Sequence, residues 1–235
     1  MNSVSTANET FNLSVSEIAL SYPQSLSTLT KHNIDYCCGG KRSFKEACER
    51  KGLNPESIWN EIIQSRNMGT PFHLRLSTWS TPLLIEYIIQ NHHEYVREAI
   101  VLLQELLEKV CNVHGEDHAE LPEIRDDFTA LSEELLSHIH KEELILFPAI
   151  IKISQNKSGQ PFSNLDSPIR VTEDEHEAAG DLIKSIRLLT NQYTIPRGAC
   201  PTFSMTYKKL EEFDQDLMQH IHVENNVLFE RVKSN

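Results

Sequence analysis

Glycine is scarce in this chain, with 8 among 235 residues beside 10 prolines. That argues against a loop-rich β fold, whose tight turns need residues that tolerate unusual dihedrals. Long apolar runs are missing too. Nothing approaches the roughly 20 residues needed to span a bilayer, so no membrane partner is expected. The first 13 residues have neither a basic start nor an apolar stretch, and no secretory signal is expected. Lys and Arg number 22 against 34 Asp and Glu, a net charge of −12. That disfavours nonspecific nucleic-acid binding, which needs clustered positive charge. The five cysteines are an odd number without the spacing of a disulfide framework, and together these absences predict a reducing, cytoplasmic location. What remains is 39% hydrophobic content, enough for a core, carried on long stretches with helical periodicity.

The pattern divides the chain into four parts: a disordered tail at 1–12, a small helical domain at 13–65, a linker at 66–79, and a larger helical domain at 80–235. In the small domain Pro23 suits a helix first turn, Gly52 ends the 43–51 segment, and Asn54-Pro55 reads as cap and first residue of the next helix. Between its helices lies Asp35-Tyr36-Cys37-Cys38-Gly39-Gly40. About 50 residues make a core that is marginal alone, so docking is expected. The larger domain opens at Ser80-Thr81-Pro82. It contains four helical segments: to about Val113, then about Pro122–Ile153, Ile169–Tyr193 and Pro201–Lys233. Short to moderate connections predict an all-α, up-down-up-down four-helix bundle.

A ten-residue pattern occurs twice in that domain, His-Ile-His-Lys-Glu-Glu-Leu-Ile-Leu-Phe from His138 and His-Ile-His-Val-Glu-Asn-Asn-Val-Leu-Phe from His220. Residues four apart share a helix face. His138 with Glu142, and His220 with Glu224, therefore each form an imidazole–carboxylate edge. The first and third helices each bring a histidine to the apolar stripe. His176 precedes Ala179, Ile183 and Ile186; on the first helix His93 fits the run Ile89, Val96, Ile100, Leu103 and Leu107, with His92 about 100° away at its edge. From 93 to 138 and from 176 to 220 the separations are 45 and 44 residues, as two equivalent halves would leave. A lone histidine on an apolar face is most often a hydrogen-bonded core residue. Four with two carboxylates, in pseudo-symmetric array, would cost several kcal/mol to bury without a ligand. Glu134 and Asp216, one turn ahead of His138 and His220, are candidate acceptors for the second ring N–H, the partner a metal-bound imidazole usually has. His140 and His222 are expected to face outward. His32, His73, His114 and His118 lie near loops.

Imidazole and carboxylate without thiolate exclude an iron–sulfur cluster in the bundle and argue against a structural zinc site. Carboxylates shared between facing helices suit a di-iron or di-manganese centre. Each of two ions would take two imidazoles and a share of Glu142 and Glu224, leaving positions open for a bridging oxo or hydroxo group and a small molecule.

The Cys37-Cys38-Gly39-Gly40 motif in a small helical domain, followed by His138-x3-Glu142-Glu143-x3-Phe147-Pro148 and His220-x3-Glu224-Asn225-Asn226-Val227-Leu228-Phe229, resembles the RIC (repair of iron centres) family of the ScdA/YtfE type, with its haemerythrin-like bundle. The resemblance covers about residues 13–233. It implies iron ligands at His93, His138, Glu142, His176, His220 and Glu224, choosing His93 over His92, and inner acidic residues at Glu134 and Glu175. It also implies a cytoplasmic homodimer that restores iron–sulfur clusters damaged by nitric oxide or oxidants. The connection from Gln155 to Pro168 is where the chain departs most from the family.

Adjacent thiols bind soft metals, close a strained disulfide, or attack as thiolates; two ordinary packed thiols is the bland alternative. Cys37 and Cys38 are read as acceptors of iron or a nitrosyl-iron fragment, and Cys48, Cys111 and Cys200 as packing residues. An iron-donor and repair protein acting on damaged iron–sulfur proteins is thus the leading reading, not a metabolic enzyme. A di-iron enzyme coupling two nitric oxide molecules to nitrous oxide comes next. An oxygen or nitric oxide sensor is third, since Gly180 stands one turn after His176 where an oxygen carrier needs a further histidine.

Overall fold

The computed structural model describes residues 10–67, 76–155 and 165–233. Most of the expected tail, the middle of the linker with His73, and most of the connection before the third bundle helix lie outside them. The described residues are helical throughout apart from turns and one isolated bridge, Ser14 to Ser43.

Two compact units are present, Met1–Trp79 with Ile221–Glu230, and Ser80–His220 with Arg231–Asn235. The packing of Ile221–Glu230 thus places it with the first unit, although by sequence it continues the last bundle helix. In the first unit α1 spans Val15–Ser21, α2 Ser25–Lys31, α3 Phe44–Arg50 and α4 Pro55–Asn67. Local chemistry starts each of three helices. Ser14 accepts from the Glu17 N–H at 3.1 Å while Glu17 accepts from the Ser14 N–H at 2.7 Å, a reciprocal cap. Ser43 caps α3, and the Asn54 side chain accepts from Ser57 ahead of Pro55. Gly52, with φ of 67°, takes the left-handed conformation that closes α3. Pro23 falls just ahead of α2 rather than inside it. The core gathers Phe11, Phe44, Tyr22 and Trp59 around ring contacts of 5.0–6.5 Å. Phe11, assigned by composition to the tail, is buried there, because a phenyl ring on a marginal core contributes too much apolar area to stay in water.

The second unit holds α5 (Thr81–Ile88) and α6 (Glu94–His114), α7 (Glu120–Lys141) and α8 (Phe147–Gln155), α9 (Asp166–Leu189) and the start of α10 (Pro201–Val223). A π-turn joins α5 to α6 at Ile89–His93 and α7 to α8 at Glu142–Leu146; another, Glu224–Phe229, follows α10, before α11 at Glu230–Lys233. α7 packs on both α6 and α9. Leu103, Leu107, Leu121, Ile124, Phe128, Leu131, Ile186 and Phe213 are all buried, and Phe128 meets Phe213 edge-on at 5.3 Å. α9 ends four residues before the expected Tyr193. Asn191, Gln192 and Tyr193 turn left-handed, with φ of 47°, 60° and 57°.

That turn is held by a buried ion pair. Arg187 donates to both Asp214 oxygens, at 2.8 and 2.5 Å, and the Tyr193 hydroxyl donates to Asp214 at 2.8 Å. Burial, with the Asp214 charge beside it, pushes the Tyr193 phenol well above its ordinary range, so it stays a donor. Removing one partner of such a pair strands the other charge. Asp214→Ala is expected to cost about 3–5 kcal/mol, read as a lowered thermal midpoint; an unchanged midpoint would refute the role given to this pair.

Candidate metal centre

Among the described residues, each π-turn carries a side chain of the candidate metal site. His93 ends the first, Glu142 opens the second and Glu224 opens the third. A π-turn widens the helix by one residue and shifts the faces that follow, and such turns recur at functional sites. The second also accommodates Pro148. In a regular helix a proline there would clash with the carbonyl four residues back, whereas the widened turn has Phe147 N–H reaching Glu142 O.

The structure brings His93, His138, Glu142, His176, His220 and Glu224 together. Their relative exposures are 0, 4, 1, 1, 1 and 0%. Ligand atoms of His93, Glu142, His220 and Glu224 all lie within 4.8 Å of one another, and so do those of His138, Glu142, His176 and Glu224. His93 Nε2 is 3.1 Å from His220 Nε2, and His138 Nε2 is 3.0 Å from His176 Nε2. Two nitrogens about 3 Å apart match two ligands held at right angles on bonds of about 2.1 Å. Glu142 faces both pairs, with Oε2 3.4 Å from His93 Nε2 and Oε1 3.3 Å from His138 Nε2. Two buried carboxylates this close need positive charge between them. The donor set fits hard or borderline cations that accept imidazole and carboxylate.

Behind two of the imidazoles stands the same arrangement. His93 Nδ1 meets Glu143 Oε1 at 2.8 Å, and Arg97 Nη2 lies 2.9 Å from both Glu143 oxygens. His138 Nδ1 meets Glu175 Oε2 at 2.8 Å, and Lys141 donates to the other Glu175 oxygen. Burial raises both carboxylates, but hydrogen bonds from the histidine and the cation outweigh it and leave both below the usual range. The ionised glutamate fixes the proton on Nδ1 and turns the Nε2 lone pair inward.

Glu134 is exposed on α7. It shares the wall of a cavity of about 560 Å³ with His138, Glu175 and His176, but the His138 ring proton goes to Glu175. Asp216 accepts not from His220 but from His92, at 2.9 Å. His92 is buried and stacks flat on His220 at 5.4 Å and 4°, so it supports a ligand ring without joining either donor group. Glu143 was missed, although its place beside Glu142 and the Arg97 one turn after His93 were the available signal. His140 is exposed. His222, expected outward, is 5% exposed, because Tyr36 of the first unit covers it, ring to ring at 5.4 Å. Burial pushes its imidazole down to about 4 against the smaller pull of the Tyr36 carbonyl.

The cysteine motif forms a turn in the first unit. Cys37 is buried and Cys38 half-buried, their sulfurs 3.5 Å apart. The Cys37 thiol, donating to Asp35 at 3.3 Å, is raised well above its ordinary value by its hydrogen bond with Cys38, by burial and by the Asp35 charge. A second cavity, of about 360 Å³, is lined by His138, Glu142 and Glu175 together with Ile145, Leu146, Ala149 and Val171.

Loss of a carboxylate behind a ligand imidazole typically weakens metal affinity about 10–100-fold. Glu143→Gln and Glu175→Gln are each expected to do so in competition titrations against a chelator, at unchanged helicity. Wild-type affinity in both would remove the orienting role assigned to them.

The Hemerythrin HHE cation binding domain model matches residues 84–232, and the ScdA_N model, a domain of unknown function, matches residues 11–65. The "Iron-sulfur cluster repair protein YtfE" of Yersinia pseudotuberculosis serotype IB is 36% identical over 222 residues, covering 94% of this chain and 96% of that protein. The "Iron-sulfur cluster repair protein ScdA" of Staphylococcus haemolyticus is 33% identical over 217 residues, covering 92% and 96%. An aligned stretch of that length joins both matched domains in one order, over a cluster of His and Glu side chains that could hold metal, and on that ground the chain belongs to the YtfE/ScdA family of iron–sulfur cluster repair proteins.

Proposed function

We propose that this chain is a di-iron protein that repairs iron–sulfur clusters damaged by nitrosative or oxidative stress. The observation that carries the reading is Glu142, whose two oxygens face two separate imidazole pairs, the disposition of a carboxylate shared by two ions. Imidazole and carboxylate ligands suit iron, and the names of the relatives point to iron–sulfur clients. Bound iron would supply redox chemistry and affinity for diatomic molecules. The chain's own residues do the rest. Glu143 with Arg97, and Glu175 with Lys141, hold ring protons away from the ligand atoms. The largely apolar cavity beside Glu142 offers nitric oxide a route to the site. Cys37 and Cys38 accept iron or a nitrosyl-iron fragment in passage to a client. Vicinal thiols of this kind persist in a reducing compartment, so we place the protein in the cytoplasm; the homodimer is what the family resemblance implies.

That same cavity favours a second reading, reduction of two nitric oxide molecules with two electrons and two protons to nitrous oxide and water. Nitrous oxide formed in many equivalents per chain, with an electron donor present, would favour the enzyme; single-equivalent yield favours repair.

Anaerobically purified protein is expected to carry about two irons per chain, coupled in Mössbauer spectra when oxidised. Glu142→Ala/Glu224→Ala should lose them. Zinc in place of iron, or full iron content in that variant, would overturn the site. Cys37→Ser/Cys38→Ser should keep its iron yet fail to restore activity to an enzyme whose [4Fe–4S] cluster has been damaged by nitric oxide. Intact repair would remove the thiols from the mechanism.

A further inference from the structure

The turn that presents Cys37 and Cys38 is built around one backbone carbonyl. A Cβ at Gly40 would stand 2.6 Å from Tyr36 O and 3.0 Å from Ser16 Cβ, and one at Gly39 would stand 3.0 Å from Asp35 Oδ2. Gly40 has no room for a side chain, because the chain folds back onto the Tyr36 carbonyl, and at Gly39 a side chain would press on the Asp35 carboxylate. The far side of the turn is tied to α1: Ser16 N–H donates to Gly40 O at 3.0 Å, and Val15 N–H to Arg42 O at 2.9 Å.

On its open side, the Tyr36 carbonyl meets two side chains from Ile221–Glu230, the segment that packs with this unit. Asn226 Nδ2 lies 3.4 Å from Tyr36 O and 3.0 Å from His222 Nδ1, and His222 Nδ1 is itself 3.4 Å from Tyr36 O. An amide nitrogen has two protons. With His222 neutral, one goes to the imidazole nitrogen and the other to the carbonyl, while the Tyr36 ring closes edge-on against the imidazole. The same helical run carries His220 and Glu224, so the residues beside His222 are metal-binding ones.

We propose that His222 and Asn226 are positioning residues for the thiol pair: Asn226 donates to the Tyr36 carbonyl, His222 orients that amide, and together they hold the turn that keeps Cys37 covered. The proposal rests on the reading of Cys37 and Cys38 as iron acceptors, and it makes the presentation of those thiols depend on the segment that supplies Glu224. Neither residue touches iron or sulfur in this role. They act by fixing where the backbone of residue 36 lies.

The test is the alkylation rate of each cysteine by N-ethylmaleimide, resolved by mass spectrometry, on the iron-loaded full chain. His222→Phe keeps a ring against Tyr36 but loses the nitrogen. Asn226→Leu keeps the volume but loses the donor. In the double variant Cys37 and Cys38 are expected to react about tenfold faster, the size that loss of a hydrogen bond allows. Cys48, fully buried in the same unit, reports general loosening and should keep its rate. Unchanged Cys37 and Cys38 rates would overturn the proposal. So would a parallel rise at Cys48, which would mean that the unit had only lost stability. Should the double variant not fold, Asn226→Leu alone decides by the same comparison, since that position is half-exposed. Alkylation is read without any repair assay. Intact repair by Cys37→Ser/Cys38→Ser would therefore end the iron-acceptor reading while leaving the clamp standing.

Discussion

Two buried carboxylates, Glu142 and Glu224, lie within 4.8 Å of each other among four buried imidazoles, and the bundle is arranged around that concentration of ligand atoms. Buried negative charge is tolerated only where positive charge or donors meet it. The imidazoles offer lone pairs rather than protons, because Glu143 and Glu175 hold the ring protons of His93 and His138 on the outside. Those outer glutamates are in turn kept ionised by hydrogen bonds from His93 and Arg97 at Glu143, and from Lys141 and His138 at Glu175. The series thus runs from the surface inward, from cation to carboxylate to imidazole, and its inner end offers lone pairs to a cation.

The helices give up regularity to reach this arrangement. Three ligand-bearing runs widen into π-turns where His93, Glu142 and Glu224 stand, while α9, which bears His176, does not. A widened turn weakens backbone hydrogen bonding locally. Its persistence at ligand positions is what a site that sets its own geometry against helical regularity produces. Apolar contacts such as Phe128 on Phe213, and the Arg187–Asp214 pair, hold the bundle at other points along the same helices.

The smaller unit solves a different problem. Its core is small, and α1, α3 and α4 start at side-chain caps, so its order comes from local hydrogen bonds as much as from apolar area. Cysteines placed in such a turn are held by backbone geometry. Gly40 is a glycine because the Tyr36 carbonyl occupies the space where a Cβ would be, and at Gly39 a Cβ would press on the Asp35 carboxylate. Cys37 remains a thiol because its neighbours make the thiolate costly.

Much of this was legible in the sequence for one reason: a helix puts residues four apart on one face, so two copies of His-x3-Glu announce two ligand edges without any fold. The same periodicity gave the all-α class, the stripe position of His176 and a stripe with His93 on it and His92 at its edge, while cap and proline chemistry marked the helix starts at Asn54-Pro55 and Ser80-Thr81-Pro82. The rest depended on what stands opposite. His92 and His93 are both buried, and only the packing of α10 decides that one meets Asp216 and the other His220. Glu134 lost its place to Glu175 because the acceptor for His138 comes from the facing helix, not from one turn back on its own. Glu143 emerged where a π-turn had shifted the face that regular spacing assigns. His222 was misjudged because the segment that covers it lies 186 residues away along the chain. Periodicity along one helix determined which side chains share a face; contact between distant segments decided which of those faces meet, and with which protons.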